Sequence, residues 1–184
     1  MYDEVYKMKK FIFIILFIFS MQLFPAAVTK YYDKWKVRTI TYDNTTAKTV
    51  TVSLDVDKNL EIYIASRTNQ FNITLTWYKD DIDENKPIVQ YKFNDSDYYS
   101  VEPIMRSSKD NFDILFTISP TFGLVQEKET VDFFKKLLKS TNMTIRPNDY
   151  GDEYNIDLSG LKEAIKSTDF SGTLFEKYKS KVLY

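Results

Sequence analysis

The 184-residue chain contains no cysteine and no histidine, and it has only four glycines. The absence of cysteine excludes disulfides, cysteine-ligated iron–sulfur clusters, thiol catalysis and a lipid-modified N-terminal cysteine. The absence of histidine removes the commonest metal ligand and the commonest general base. No glycine-rich phosphate-binding loop is present. The sequence therefore predicts no catalytic residues, no cofactor and no metal site.

The chain also lacks an excess of either charge, since 25 lysines and arginines face 26 aspartates and glutamates. A protein that binds nucleic acid usually carries a clustered basic surface and a high isoelectric point. We therefore expect no nucleic-acid partner.

One long hydrophobic run is present near the N-terminus, in the stretch MKKFIFIILFIFSMQLFPAA that begins at Met8. Lys9 and Lys10 precede an apolar segment, and Pro25, Ala26 and Ala27 offer a turn and small residues where a peptidase could cut. The apolar segment is shorter than the roughly 20 residues of a membrane-spanning helix. This pattern predicts a signal helix within residues 1–27 and a periplasmic or secreted protein. A retained N-terminal membrane anchor and a buried core helix are the alternatives.

After residue 27 the chain alternates between apolar and polar residues in a series of short segments. This period of two is typical of half-buried antiparallel strands. The cleanest example places Val50, Val52, Leu54 and Val56 on one face. Similar strands are predicted for KWKVRTITY, LEIYIAS, FNITLTWY, IVQYKFN, YYSVEPIM, FDILFTI, MTIRP and YNIDL.

The pattern changes to helical spacing late in the chain. TVDFFKKLLKS predicts an amphipathic helix with Thr130 as its N-cap, and SGLKEAIKS predicts a short helix that Ser159 can cap. The final segment GTLFEKYKSKVLY is consistent with a helix or a loosely docked tail. We predict one mainly β (α+β) domain over residues 28–184, an antiparallel β-sandwich or curved sheet with one or two helices near the C-terminus.

Candidate sites are few, and each has a simpler interpretation. Asp81, Asp83 and Asn85 have the spacing that opens a calcium loop, as do Asp55, Asp57 and Asn59. Neither segment supplies the glycine and glutamate that complete such a loop, so solvated turns are the better interpretation. Ser107 and Lys109 are too short a motif to indicate a nucleophile, and no feature nominates a catalytic pair of carboxylates.

Aromatic residues are abundant, with 14 tyrosines and 14 phenylalanines. Tyr31, Tyr32, Tyr98 and Tyr99 occur in polar or terminal surroundings, where they could form a surface that binds a sugar or a protein. The alternative interpretation is that they form the rim of a sandwich core.

The order of these features resembles a family of small exported bacterial proteins, the type VI secretion-associated accessory (VasI-like) proteins and their uncharacterised relatives. The resemblance spans about residues 35–166 and rests on Trp35, Asp43, Val50–Leu54, Leu60–Ile64, Trp77, Val89–Phe93, Phe133–Leu138 and Ile156–Ile165. Relatives often carry a cysteine pair, which this chain lacks. The resemblance implies an exported β-rich fold and supplies no catalytic residues.

Three functions are compatible with these observations. The leading hypothesis is a non-catalytic exported protein that binds an envelope or secreted protein, with membrane contact only through an uncleaved N-terminal segment. A carboxylate-dependent hydrolase of envelope glycans is the first alternative, and two close carboxylates in a cleft would support it. A membrane-anchored structural protein is the second alternative.

Overall fold

The computed structural model describes residues 26–42, 47–57, 60–77, 88–101, 104–105, 112–120, 124–146 and 153–184. The fold is mainly β, with two antiparallel sheets and, in this described part, three helices that all follow the last strand of the larger sheet. The predicted fold class is thus confirmed. The predicted signal helix lies outside the described residues.

The larger sheet has seven strands, and its alternating residues explain why it forms. Its spatial order is β1-β2-β3-β4-β5-β9-β8. One face of β3 buries Val50, Val52 and Leu54, as the sequence predicted, while the residues between them are more exposed. The strands are β1 Ala26–Tyr32, β2 Trp35–Thr41, β3 Lys48–Asp55, β4 Leu60–Ser66, β5 Phe71–Trp77, β8 Ile104–Met105 and β9 Phe112–Ile118.

The smaller sheet has four strands in the order β11-β10-β6-β7. Its strands are β6 Val89–Phe93, β7 Tyr99–Val101, β10 Asn142–Arg146 and β11 Tyr154–Asp157. The prediction of one strand over YYSVEPIM was wrong, because β7 pairs with β6 while β8 pairs with β9 in the other sheet. Pro103 lies between them in the sequence, and proline cannot donate to a strand ladder.

The first helix, α1 (Leu124–Lys139), connects the two sheets through its buried face. The Phe133 ring packs on Phe116 of the larger sheet and on Phe93 of the smaller one. The prediction that Thr130 caps this helix was wrong, since Thr130 lies inside it and its buried hydroxyl donates to the Thr117 carbonyl at 3.1 Å. The preceding residues LVQEKE are mostly good helix formers, so the helix begins earlier.

The second helix, α2 (Leu161–Ser167), buries Leu161, Ala164 and Ile165 as predicted. Its N-cap is Gly160, with φ +83° and no side-chain capping bond, so the prediction of Ser159 as the cap was wrong. The Ser159 backbone N–H and hydroxyl instead donate to Asp157. These bonds, with one from Lys34, hold the pKa of the Asp157 carboxyl down to about 2.

The third helix, α3 (Glu176–Leu183), shows that the C-terminal segment is a docked helix and not a loose tail. Val182 is buried on it, and Phe175 at its start is completely buried. The Phe175 backbone N–H donates to the Ser66 hydroxyl of β4 at 3.1 Å. The end of the chain is therefore fixed to the larger sheet.

The first strand, β1, is an edge strand that the sequence did not predict. Its seven residues pair with β2 in a continuous antiparallel register, from Ala26 opposite Thr41 to Tyr32 opposite Trp35. Almost every side chain of β1 is exposed, which explains why burial left no clear pattern there. Cleavage after Ala27 would fall two residues into this strand. None of the described helices is long and apolar enough to cross a membrane.

Candidate functional site

A groove of about 440 Å³ lies between the smaller sheet, β9 and α1. We call it the aromatic groove, and its described lining is Tyr91, Tyr99, Ser100, Val101, Phe116, Glu129, Asp132, Phe133 and Lys136. Its volume is within the range of sites that bind small molecules or single side chains.

Strands β6 and β7 of the smaller sheet supply one wall because of their register. Tyr91 of β6 is paired with Tyr99 of β7, so both side chains point to the same face. Their rings stack with centroids 5.6 Å apart and an interplanar angle of 24°. The antiparallel pairing of two short strands thus produces an aromatic wall.

Helix α1 supplies the opposite wall through residues on one helical face. Glu129, Asp132, Phe133 and Lys136 are separated by three, four and seven positions, the spacing that aligns side chains along a helix. Phe133 points inward and is 3% exposed, whereas the three charged residues are all exposed. The wall therefore has a buried aromatic base and a charged rim.

The rings form a continuous path from the core to solvent. Phe116 and Phe133 stack with centroids 3.8 Å apart, and Tyr91 meets Phe133 edge to face at 5.3 Å. Tyr91 then stacks on Tyr99, which is 41% exposed. Because the inner rings are fixed by their neighbours, Tyr99 is held at the surface in a defined orientation, which lowers the entropic cost of binding to it.

The electrostatics of the groove centre on Tyr91. Burial raises the pKa of the Tyr91 hydroxyl to about 12, with smaller contributions from Tyr99 and from the negative charge of Glu129. Tyr91 is therefore a neutral hydrogen-bonding group at physiological pH.

A lysine already occupies one aromatic face. The Lys136 Nζ lies 4.2 Å from the centroid of the Tyr99 ring, within the range of a cation–π contact. The Tyr99 ring thus accepts an ammonium group, and the two carboxylates of the rim favour positive charge nearby. Chemically, the groove suits a side chain with an aromatic or aliphatic body and a cationic end.

The four tyrosines singled out in the sequence do not form one surface. Tyr31 and Tyr32 lie on β1 of the larger sheet, with Tyr31 68% exposed and Tyr32 packed against the core. Tyr99 lines the aromatic groove, whereas the Tyr98 ring contacts Lys92 Nζ and the Arg146 guanidinium, which lie 4.7 and 4.1 Å from its centroid. Burial and a hydrogen bond to Glu153 raise the pKa of Tyr98. Only Tyr99 of these four therefore belongs to the candidate site.

The acidic motifs of the sequence lie elsewhere. Asp57 accepts a hydrogen bond from the Leu60 N–H at 3.0 Å in the turn after β3, which agrees with a solvated turn. Asp55 ends β3, and Asn59 is outside the described residues. Asp81, Asp83, Asn85, Ser107 and Lys109 also lie outside them. Within the described ranges, no three acidic residues are grouped as a metal site requires.

Sequence reasoning did not find Glu129, Asp132 or Lys136. Their helical spacing was visible in the sequence, but it indicated only the solvated face of an amphipathic helix. What makes them part of a site is the smaller sheet opposite, and that pairing of distant segments has no local signal.

Comparisons with other proteins give no relative. No protein-family model matches the chain, and neither a curated protein nor a solved structure matches it significantly. The resemblance to the VasI-like proteins therefore stays a prediction, and the function has to be argued from the site.

Tyr91 gives a testable pH dependence. Its folded-state pKa of about 12 exceeds the ordinary value of 10.0, so above pH 10 the unfolded chain loses this proton before the folded protein does. The free energy of unfolding should therefore fall between pH 10 and 12, and the Tyr91→Phe variant should lose this part of the slope. Urea denaturation across this range measures the slope.

The control for this prediction is Tyr184→Phe, the same chemical change at a ring that is 95% exposed. It should keep the wild-type slope. Equal slopes for Tyr91→Phe and wild type would show that Tyr91 is not shielded as the structure indicates.

Proposed function

We propose that this protein is an exported, non-catalytic binding or accessory protein of the bacterial envelope, and that its partner is an envelope or secreted protein. The observation that carries the proposal is the aromatic groove, where a fixed series of rings ends at the exposed Tyr99 beside charged residues. Tyrosines held in this way are frequent anchors of protein interfaces.

The charges of the rim specify the kind of partner. Glu129 and Asp132 carry two negative charges against the single positive charge of Lys136, so a lysine or arginine of the partner would be favoured beside the helix. Such a side chain could lie along the Tyr99 ring and replace the contact now made by Lys136.

Site-specific photo-crosslinking in the native cells tests this proposal. A photoreactive residue at Asp132, exposed on α1 at the rim of the groove, should crosslink one envelope or secreted protein, while the same residue at Lys162 on α2 should not. Tyr99→Ala should weaken binding to that partner about tenfold or more, the cost expected for an interface anchor. Crosslinking that is equal at both positions, or unchanged in Tyr99→Ala, would contradict the proposal.

Export itself is tested by the intact mass of the chain in fractionated cells. A mass that lacks the residues up to about Ala27, in the soluble envelope or medium fraction, would support a diffusible exported protein. A full-length mass in the membrane pellet would support the anchored structural protein instead.

A carboxylate-dependent hydrolase of envelope glycans is the second candidate, because the groove holds Glu129 and Asp132 beside aromatic rings. Both carboxylates are exposed, whereas the general acid of a glycosidase is usually held in an apolar pocket. Binding is therefore favoured. Release of reducing sugar from envelope glycans by the wild type, lost in both Glu129→Gln and Asp132→Asn, would establish the hydrolase.

A further inference from the structure

A second groove, of about 300 Å³, crosses β2, β3 and β4 of the larger sheet. It lies on the outer face of that sheet, opposite the face that packs on the core. We call it the basic groove, and define it by its cations Lys36, Arg38 and Arg67 and its hydroxyl residues Thr49, Thr51 and Ser53. It shares no lining residue with the aromatic groove.

The cations of the basic groove face solvent without an acidic partner among the described residues. All three are exposed, and no carboxylate in the described part of the chain lies within ion-pair distance of them. Glu61 is the single carboxylate among the described lining residues. The groove therefore has an excess of positive charge although the whole chain has a net charge of −1.

The register of the strands places the three cations on one face of the sheet. Lys36 is paired with Ser53 and Arg38 with Thr51, so each cation has a hydroxyl beside it on the next strand. Two positions along one strand are roughly 7 Å apart, and neighbouring strands are about 5 Å apart. Arg67 follows β4 two residues beyond Ala65, which is paired with Thr51, so it lies beside the level of Thr49, two strands across from Arg38 and one step further along. The arrangement repeats a cation and a hydrogen-bonding group across the sheet.

We propose that the basic groove binds a linear phosphate-bearing polymer, with successive phosphates contacting Lys36, Arg38 and Arg67. Arginine and lysine are the usual phosphate ligands, and hydroxyl groups complete their hydrogen bonding. Tyr42 and Tyr63 also line the groove, but the whole chain is mildly acidic, with an isoelectric point of about 5.6, unlike most domains that bind nucleic acid. A concave, hydroxyl-lined surface also differs from the apolar face with which a protein inserts into a membrane.

Calorimetric titration of the full chain with short-chain inorganic polyphosphate tests the proposal. Three phosphate contacts predict that the logarithm of the affinity falls with the logarithm of salt concentration with a slope of about −2. The Arg38→Gln/Arg67→Gln variant should bind polyphosphate roughly 20-fold more weakly at about 0.1 M salt. Its salt dependence should also be shallower, with a slope between 0 and about −1.

The matched control is Lys162→Gln/Lys177→Gln. It removes the same charge from exposed positions on α2 and α3, neither of which lines the basic groove. It should keep most of the affinity and the wild-type slope, and thermal unfolding should show that both variants are folded. Tyr99→Ala should leave polyphosphate binding unchanged, which separates this site from the aromatic groove.

Five results would overturn the proposal. Polyphosphate could fail to bind, or the two double variants could lose equal affinity, which would indicate non-specific attraction. Orthophosphate could bind as tightly as the polymer, which would indicate a site for one anion. Oligothymidylate could bind more tightly than polyphosphate, or phosphatidylglycerol vesicles could bind through Arg38 and Arg67 while polyphosphate does not. These last results would assign the groove to nucleic acid or to a membrane surface.

Discussion

Replacing Gly160 by alanine is expected to lower the free energy of unfolding by about 2–4 kcal/mol, because it combines backbone strain with a steric clash. Gly160 has φ +83°, where residues other than glycine are strained. A Cβ added there would lie 2.7 Å from the Tyr32 carbonyl oxygen and 2.9 Å from the Asp33 Cβ. Both atoms belong to the tight connection between β1 and β2, so α2 or the hairpin would have to move.

Asparagine separates the two contributions. It tolerates positive φ better than alanine does, so Gly160→Asn should remain nearly as destabilising if the clash dominates. Gly172 has a similar φ of +76° and serves as the matched control. Gly172→Asn should cost less than about 1 kcal/mol. Urea denaturation of the three variants measures these differences. Equal costs for asparagine at the two positions would show that the contact with the hairpin is unimportant.

The same region shows how far local sequence carries the fold. The alternation in β3 to β5 predicted the buried faces of the larger sheet, and the helical spacing after Ser159 predicted the buried side of α2, because both depend on residues close in the chain. The close approach at Gly160 depends instead on a distant segment. The specific neighbour, the β1–β2 turn, is more than 120 residues away in the chain.

Most wrong predictions of the fold arose where a long-range contact had overridden a local preference. Thr130 is of a type that caps helices, but its hydroxyl donates to the Thr117 carbonyl in the larger sheet from within α1. Ser159 is the exception, because Asp157, which accepts from its hydroxyl, is only two residues away. The candidate site follows this rule, since Tyr99 was noted in the sequence while its partners on β6 and α1 were not. Individual residues of the site could be noted in the sequence, but which distant residues they contact could not be predicted from it.

Truncating Phe175 to alanine is expected to cost about 3–5 kcal/mol, the range for deleting a fully buried aromatic ring. The Phe175 ring is 0% exposed and stacks on Phe71 with centroids 4.7 Å apart. It also meets Phe134 at 5.3 Å and Phe170 at 4.8 Å. One side chain thus joins the C-terminal segment to the larger sheet and to α1.

A loss of this size is a large part of the stability of an ordinary domain, which is about 5–15 kcal/mol, so Phe175→Ala could fail to fold at 37 °C. Phe175→Leu keeps most of the buried volume. It should lower the free energy of unfolding by about 1–3 kcal/mol, which is less than the alanine variant does. Tyr184→Ala, at the 95%-exposed last residue, should change the free energy of unfolding by less than about 0.5 kcal/mol. Urea denaturation of Phe175→Leu and Tyr184→Ala measures the difference even if the alanine variant is insoluble. If Phe175→Leu were as stable as Tyr184→Ala, the C-terminal helix would contribute little to the core, and the loosely docked tail would be the correct description. If Phe175→Leu is the less stable of the two, the end of the chain unfolds together with β5 and α1, because the Phe175 ring packs on Phe71 of β5 and Phe134 of α1.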